Sequence, residues 1–177
     1  QELSIWKEYL PSTRYVGEVG LDAGRQFYAS FEQQKVVFAE ILSACAATGD
    51  KVLSVHSVRC TKVVLDTIDA RLPVGRGRVV LHWFAGSASE ARRAADMGCY
   101  FSINVAMLRN ERSAALVRTL PKERILTETD GPFTDNAPGG VGPADVKPAR
   151  DGLAKLFQMG QNEIDALISE NLRELVS

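Results

Sequence analysis

Residues 124–133 read R-I-L-T-E-T-D-G-P-F: a short apolar run, two acids, then a Gly-Pro pair. Side chains on a strand alternate between faces, so Leu126, Glu128 and Asp130 would share one face of an extended segment. Packing has no use for two inward carboxylates, because an unpaired ionised carboxylate is costly to remove from water. Either the segment is a solvated strand end, or a cation, backbone amides or a metal compensates the acids. Gly131-Pro132 is expected to stop the strand. How the other strands end decides between these readings.

Further β-rich runs are expected at Tyr15 to Leu21, Val52 to His56, Val79 to His82 and Tyr100 to Ile103, besides Ile125 to Asp130. Helical patterns separate them. Phe27, Phe31, Phe38, Leu42 and Cys45 fall on one face, with Gly49 as a left-handed stop, and Val64, Leu65, Ile68 and Leu72 repeat the spacing. Ser87-Ala88-Ser89-Glu90 has the capping-box form and Gly98 closes that helix. Two helices end the chain, the second capped by Asn162. Before them, the Gly- and Pro-rich stretch from Pro132 to Pro148 is too long for an ordinary connection and reads as a functional loop.

Strands alternating with helices imply parallel pairing through right-handed crossovers, in an open doubly wound sheet or a barrel. About five strands are countable, short of the eight of a closed barrel. The chain begins with Gln1 rather than Met, so it is expected to be the later part of a longer polypeptide. The expected fold is therefore α/β, a TIM-type (β/α)8 barrel of which residues 1–177 supply the last five β/α units as a single domain.

Bulk properties narrow the function classes. The 177 residues are 45% hydrophobic and 24% charged, ordinary for a soluble globular protein. No apolar run approaches the roughly 18 residues of a membrane span, and no signal peptide is visible. The three cysteines, Cys45, Cys60 and Cys99, form no C-x-x-C pair, which argues against a disulfide framework or zinc ribbon and for a cytoplasmic setting. With a net charge of −1, phosphate binding cannot rest on a broad basic surface.

The strand ends read V-G-E-V-G-L-D, V-L-S-V-H-S, V-V-L-H-W-F and L-T-E-T-D-G-P. Glu18, His56, His82 and Asp130 thus lie in or at the ends of four apolar strands, and the two histidines are the only ones in the chain. Singly, each histidine reads as a hydrogen-bonded core residue and Glu18 as a turn residue. Together they read as a site, because the C-terminal edge of a parallel sheet is where loops and strand ends converge. Two imidazoles with two carboxylates suit Zn, Mn or Mg rather than a thiolate-seeking metal.

V-G-E-V-G-L-D, V-H-S-V-R, L-H-W-F-A-G and E-R-I-L-T-E-T-D-G-P resemble the strand-end motifs of the TatD family, metal-dependent deoxyribonucleases of the amidohydrolase-like barrel group. H-W-F-A-G, G-C-Y-F-S-I with Met107-Leu108, and T-E-T-D-G-P-F are most similar to the QatD branch, found in a bacterial anti-phage defence cluster. The resemblance implies divalent metal, two ions of Mg, Mn or Zn, bound by Glu18, His56, His82 and Asp130, with Glu18 and Asp130 catalytic and Asp130 accepting a proton from water. Glu128 would be an acid orienting a ligand or the water, or a structural salt-bridge partner. Arg59, Trp83 and Arg109 would contact substrate, with Trp83 stacking a base; Phe84 reads as core, and Arg59 equally as a solvated arginine.

Two departures stand out. The family's first strand carries an H-x-H pair that this sequence lacks: either it lies upstream of Gln1 or the protein is degenerate. Arg59 also follows the second-strand histidine one place later than the family's arginine. The implied activity is exonucleolytic cleavage of single-stranded DNA ends, in phage defence with protein partners from that cluster. The alternatives are a hydrolase of a small ester or amide and a degenerate barrel serving as a binding or scaffolding subunit.

Overall fold

The computed structural model describes residues 2–131, 133–134, 142 and 144–177. Helices and strands alternate as α1 (Glu2–Tyr9), β1 (Tyr15–Asp22), α2 (Phe31–Thr48), β2 (Lys51–Val58), α3 (Thr61–Arg71), β3 (Gly77–His82), α4 (Ala88–Asp96), β4 (Tyr100–Ile103), α5 (Val105–Arg109), α6 (Glu111–Arg118), β5 (Ile125–Thr127), α7 (Lys147–Phe157) and α8 (Gln161–Val176). The chain divides into two compact units, Gln1–Cys99 and Tyr100–Ser177.

In the first unit β1, β2 and β3 pair in parallel, with Gly20 opposite His56 and Val55 opposite Leu81. Parallel strands covered by helices are apolar on both faces, and β2 is buried at Lys51, Val52, Leu53, Val55 and Ser57. Leu21, Leu53, Val55 and Leu81 pack with Phe38, Leu42 and Cys45 of α2 and Val64, Leu65 and Ile68 of α3 in the core. Gly49, at φ +77°, ends α2 by donating its N–H to the Cys45 carbonyl at 2.7 Å. The buried Lys51 ammonium donates to the carbonyls of Leu10 and Thr13, fastening the segment that leads into β1.

The expected helical face is shorter than its apolar pattern. Phe27 precedes α2, in a loop whose last turn is a 3-10 helix at Tyr28–Ser30, and it is exposed. The capping box at α4 is present: Ser87 N–H donates to Glu90 Oε2 at 2.7 Å, and Ser87 Oγ accepts Glu90 N–H at 3.3 Å.

In the second unit β4 and β5 pair in parallel, Phe101 opposite Ile125 and Ile103 opposite Thr127. Tyr100, Phe101, Ile103, Met107, Val117, Ile125, Leu153, Ile164 and Leu175 fill its core. The extended run expected through Asp130 ends at Thr127; one more ladder bond, Glu128 N–H to the Ile103 carbonyl at 3.0 Å, follows. Asp130 has φ +50°, the left-handed region, so strict alternation does not carry past Glu128. The start of α8 also differs from expectation. Its cap is Gly160, whose N–H donates to Glu163 Oε2 at 2.6 Å, and Asn162 lies inside the helix. Of the loop expected at 132–148, residues 132, 135–141 and 143 lie outside the described residues.

Candidate metal centre

β1 carries a register shift between Val16 and Val19, so Glu18 sits in a bulge rather than in the regular ladder. His56 lies near the end of β2 and His82 is the last residue of β3. These three residues each offer one ligand atom, and the atoms lie within 4.8 Å of one another. Glu18 Oε1 is the meeting point: it stands 3.0 Å from His56 Nδ1 and 3.7 Å from His82 Nε2. The imidazole centroids are 6.2 Å apart with 27° between planes. The Glu18 side chain is 50% exposed and that of His82 12%, so the cluster opens to solvent on the carboxylate side.

Donor chemistry and spacing both fit a divalent ion. Ligand atoms at about 2.1 Å from a shared centre stand about 3–3.5 Å apart in a tetrahedron, close to the 3.0 and 3.7 Å observed. The set holds nitrogen and oxygen only. Cys60, just after β2, donates its thiol to the Leu21 carbonyl at 3.2 Å, burial pushes that thiol above its usual range, and it is not among the clustered ligand atoms.

Asp130 belongs to the second unit, in the turn after β5, where its carbonyl accepts Phe133 N–H at 2.8 Å. Glu128, in the same unit, accepts hydrogen bonds from Ser102 Oγ and from Asn104 Nδ2, the latter at 2.9 Å. Arg59 (φ +57°) is exposed after β2, and Arg109 is exposed in the last turn of α5. Trp83, half-buried at φ +40°, follows His82 directly. Phe84 is core, as its apolar character suggested, and its ring occupies the space a Cβ on Gly86 would need.

Sequence reading passed over three polar residues. Asp22, the last residue of β1, places Oδ2 3.8 Å from His56 Nε2. Ser102 and Asn104 grip Glu128, and Asn104, fully buried, also caps α5 by accepting Met107 N–H at 3.1 Å. The available signal was polar residues in and after the apolar run Y-F-S-I-N, and the closing acid of V-G-E-V-G-L-D.

A profile of the family described as TatD related DNase matches residues 3–177. A protein of Schizosaccharomyces pombe named Deoxyribonuclease Tat-D is 34% identical over 126 residues, covering 71% of this chain and 40% of its own length. An uncharacterized metal-dependent hydrolase of Methanocaldococcus jannaschii is 26% identical over 157 residues, covering 88% of this chain and 59% of its own. The chain thus spans about half the length of these curated relatives. Among solved structures, YJJV, a TatD homologue from Escherichia coli, superposes with a TM-score of 0.85 at 24% identity, covering 98% of this chain and 69% of that one. The parallel β/α architecture expected from the sequence, that of a TIM-type barrel, is the fold of this neighbour. The chain belongs to the TatD related DNase family.

Proposed function

We propose that the whole protein is a single barrel domain that hydrolyses phosphodiester bonds of DNA, acting on single-stranded ends, with two divalent ions of Mg, Mn or Zn. The observation that carries this reading is the meeting of two imidazole nitrogens on the Glu18 carboxylate oxygen. Divalent ions held there would supply Lewis acidity and lower the pKa of the attacking water toward neutrality. His56 and His82 would offer ring nitrogens, and Glu18 the carboxylate oxygen that both approach. The family resemblance assigns Asp130 as a further ligand, whose carboxylate would receive the proton of the attacking water. Glu128, clasped by Ser102 and Asn104, fixes the backbone that leads to Asp130.

Arg59 and Arg109 grip phosphate and Trp83 stacks a base, a contact worth about 1–3 kcal/mol and indifferent to sequence. The QatD-like motifs support cytoplasmic phage defence with partner proteins from the same gene cluster. The test compares linear and closed circular single-stranded DNA with the full-length protein. Linear substrate is degraded from an end, EDTA abolishes the reaction, and Asp130→Asn lowers the rate by about 100-fold or more. Efficient cutting of the circle would overturn the end-directed reading, and full-length protein that takes up no divalent ion would leave the scaffold reading in its place.

A further inference from the structure

The stretch G-R-Q-F-Y-A-S-F, residues 24–31, leads from β1 into α2 and serves no step of the proposed hydrolysis. It presents large rings to solvent: Phe27 is 48% exposed and Tyr28 64%. Tyr28 lies parallel to Phe31, with ring centroids 5.9 Å apart and 6° between planes. Arg25 is also exposed, and no carboxylate among the described residues pairs with it. Lys35 stands 5.6 Å from the Phe31 centroid, but Glu32 Oε2 already pairs with its ammonium at 2.7 Å. Arg25 is therefore the cation that this loop offers to an anion.

The loop is held in place from inside. Gln34 Nε2 donates at 3.2 Å both to the Asp22 carbonyl and to the Phe27 carbonyl, which folds the loop back onto the end of β1. Asp22 N–H donates to Gln34 Oε1 at 2.8 Å, closing the link from the other side. Ser30 Oγ donates to the Phe27 carbonyl at 2.9 Å and accepts from Gln34 Nε2 at 3.0 Å. The backbone at Phe27 is thus brought beside Asp22, whose carboxylate lies 3.8 Å from His56 Nε2. The rings are carried at the edge of the metal cluster, within the same unit. Rings fixed before binding cost a ligand little further ordering.

Chemistry selects the occupant. Flat rings beside one available guanidinium suit a flat aromatic ligand that carries phosphate, and the unstacked base of a single strand is such a ligand. A duplex keeps its base faces within its own stack. We propose that Tyr28, stacked on Phe31 and flanked by Phe27, is a stacking subsite for a nucleobase of single-stranded DNA, with Arg25 on an adjoining phosphate. The subsite rests on the reading of the protein as a DNA hydrolase and adds a base contact besides Trp83.

The test uses full-length Asp130→Asn and short oligothymidylate strands in which one nucleotide at a time is abasic, with binding followed by fluorescence anisotropy. With Tyr28 in place, an abasic nucleotide at the subsite position weakens binding by about 5-fold or more. In Tyr28→Ala the intact strand binds about 5-fold more weakly, and the abasic penalty at that position disappears. Tyr28→Phe keeps the ring and the penalty. Arg25→Gln makes the salt slope shallower by about 0.7, the share of one phosphate on a single strand, for intact and abasic strands alike.

An unchanged abasic profile in Tyr28→Ala would overturn the proposal and leave the DNA reading standing. So would a lowered thermal midpoint of Tyr28→Ala, which would make the ring a packing residue of the full-length protein. Conversion of a dimer to a monomer by the same substitution would make the patch a contact between copies and overturn it too. Failure of the protein with all its rings intact to bind any strand would overturn the DNA reading itself, and the subsite with it.

Discussion

At Gly20, φ is +148° and an added Cβ would stand 2.1 Å from the carbonyl oxygen of His56, well inside any nonbonded contact. Only glycine lets β1 run this close to β2 next to the bulge that carries Glu18, so the position couples backbone chemistry directly to the site. Gly20→Ala pushes the His56 main chain away or opens the β1–β2 ladder. The expected cost is about 2–4 kcal/mol, read as a lower urea midpoint at unchanged slope, together with weakened Mn2+ binding. A wild-type midpoint would show that the strands can part without penalty. Glu18, His56 and His82 were legible in the sequence because polar residues closing apolar runs stand out. Asp22 was not, since an acid at a strand end reads equally as a turn residue. Its place near His56 follows from the pairing of β1 with β2, which sets Gly20 opposite His56 and Asp22 opposite Val58.

Between elements, α8 holds β5 through one buried amide. Asn171, 2% exposed, donates from Nδ2 to the Lys122 carbonyl at 2.7 Å and to the Ile125 carbonyl at 2.8 Å. The strand it pins is three residues long and leads directly to Glu128. Asn171→Leu leaves two carbonyls without this donor and should cost about 2–3 kcal/mol. Asn171→Asp, which sets a carboxylate against them, should cost more. Thermal unfolding monitored by circular dichroism checks the order; an Asp variant more stable than the Leu variant would contradict it. Periodicity made the helices and most strands readable, since burial repeats at fixed spacing within an element. Element ends were harder. Asp130 left the strand pattern because its φ is positive, and the α8 cap moved to Gly160 because Glu163 reaches that amide. Neither fact is written in an alternation or a composition.

For the molecule as a whole, 21 basic against 22 acidic residues leave no general attraction for a polyanion. The three-residue cluster lies entirely in the first unit, while Asp130 and Glu128 belong to the second. Among the described residues no helix is long and apolar enough to cross a membrane. A protein that engages a DNA end at such a cluster neutralises few phosphates, whereas one that tracks along a strand neutralises many. Because log K falls with log salt at about −0.7 per phosphate contacted on single strands, end binding by one to three contacts predicts a slope of about −1 to −2. The measurement is fluorescence anisotropy of a short labelled single strand with full-length Asp130→Asn, which binds without cutting, across a salt series. A slope steeper than about −5 would mean an extended basic track supplied by residues outside this chain, and the end-directed reading would give way to processive binding along the strand.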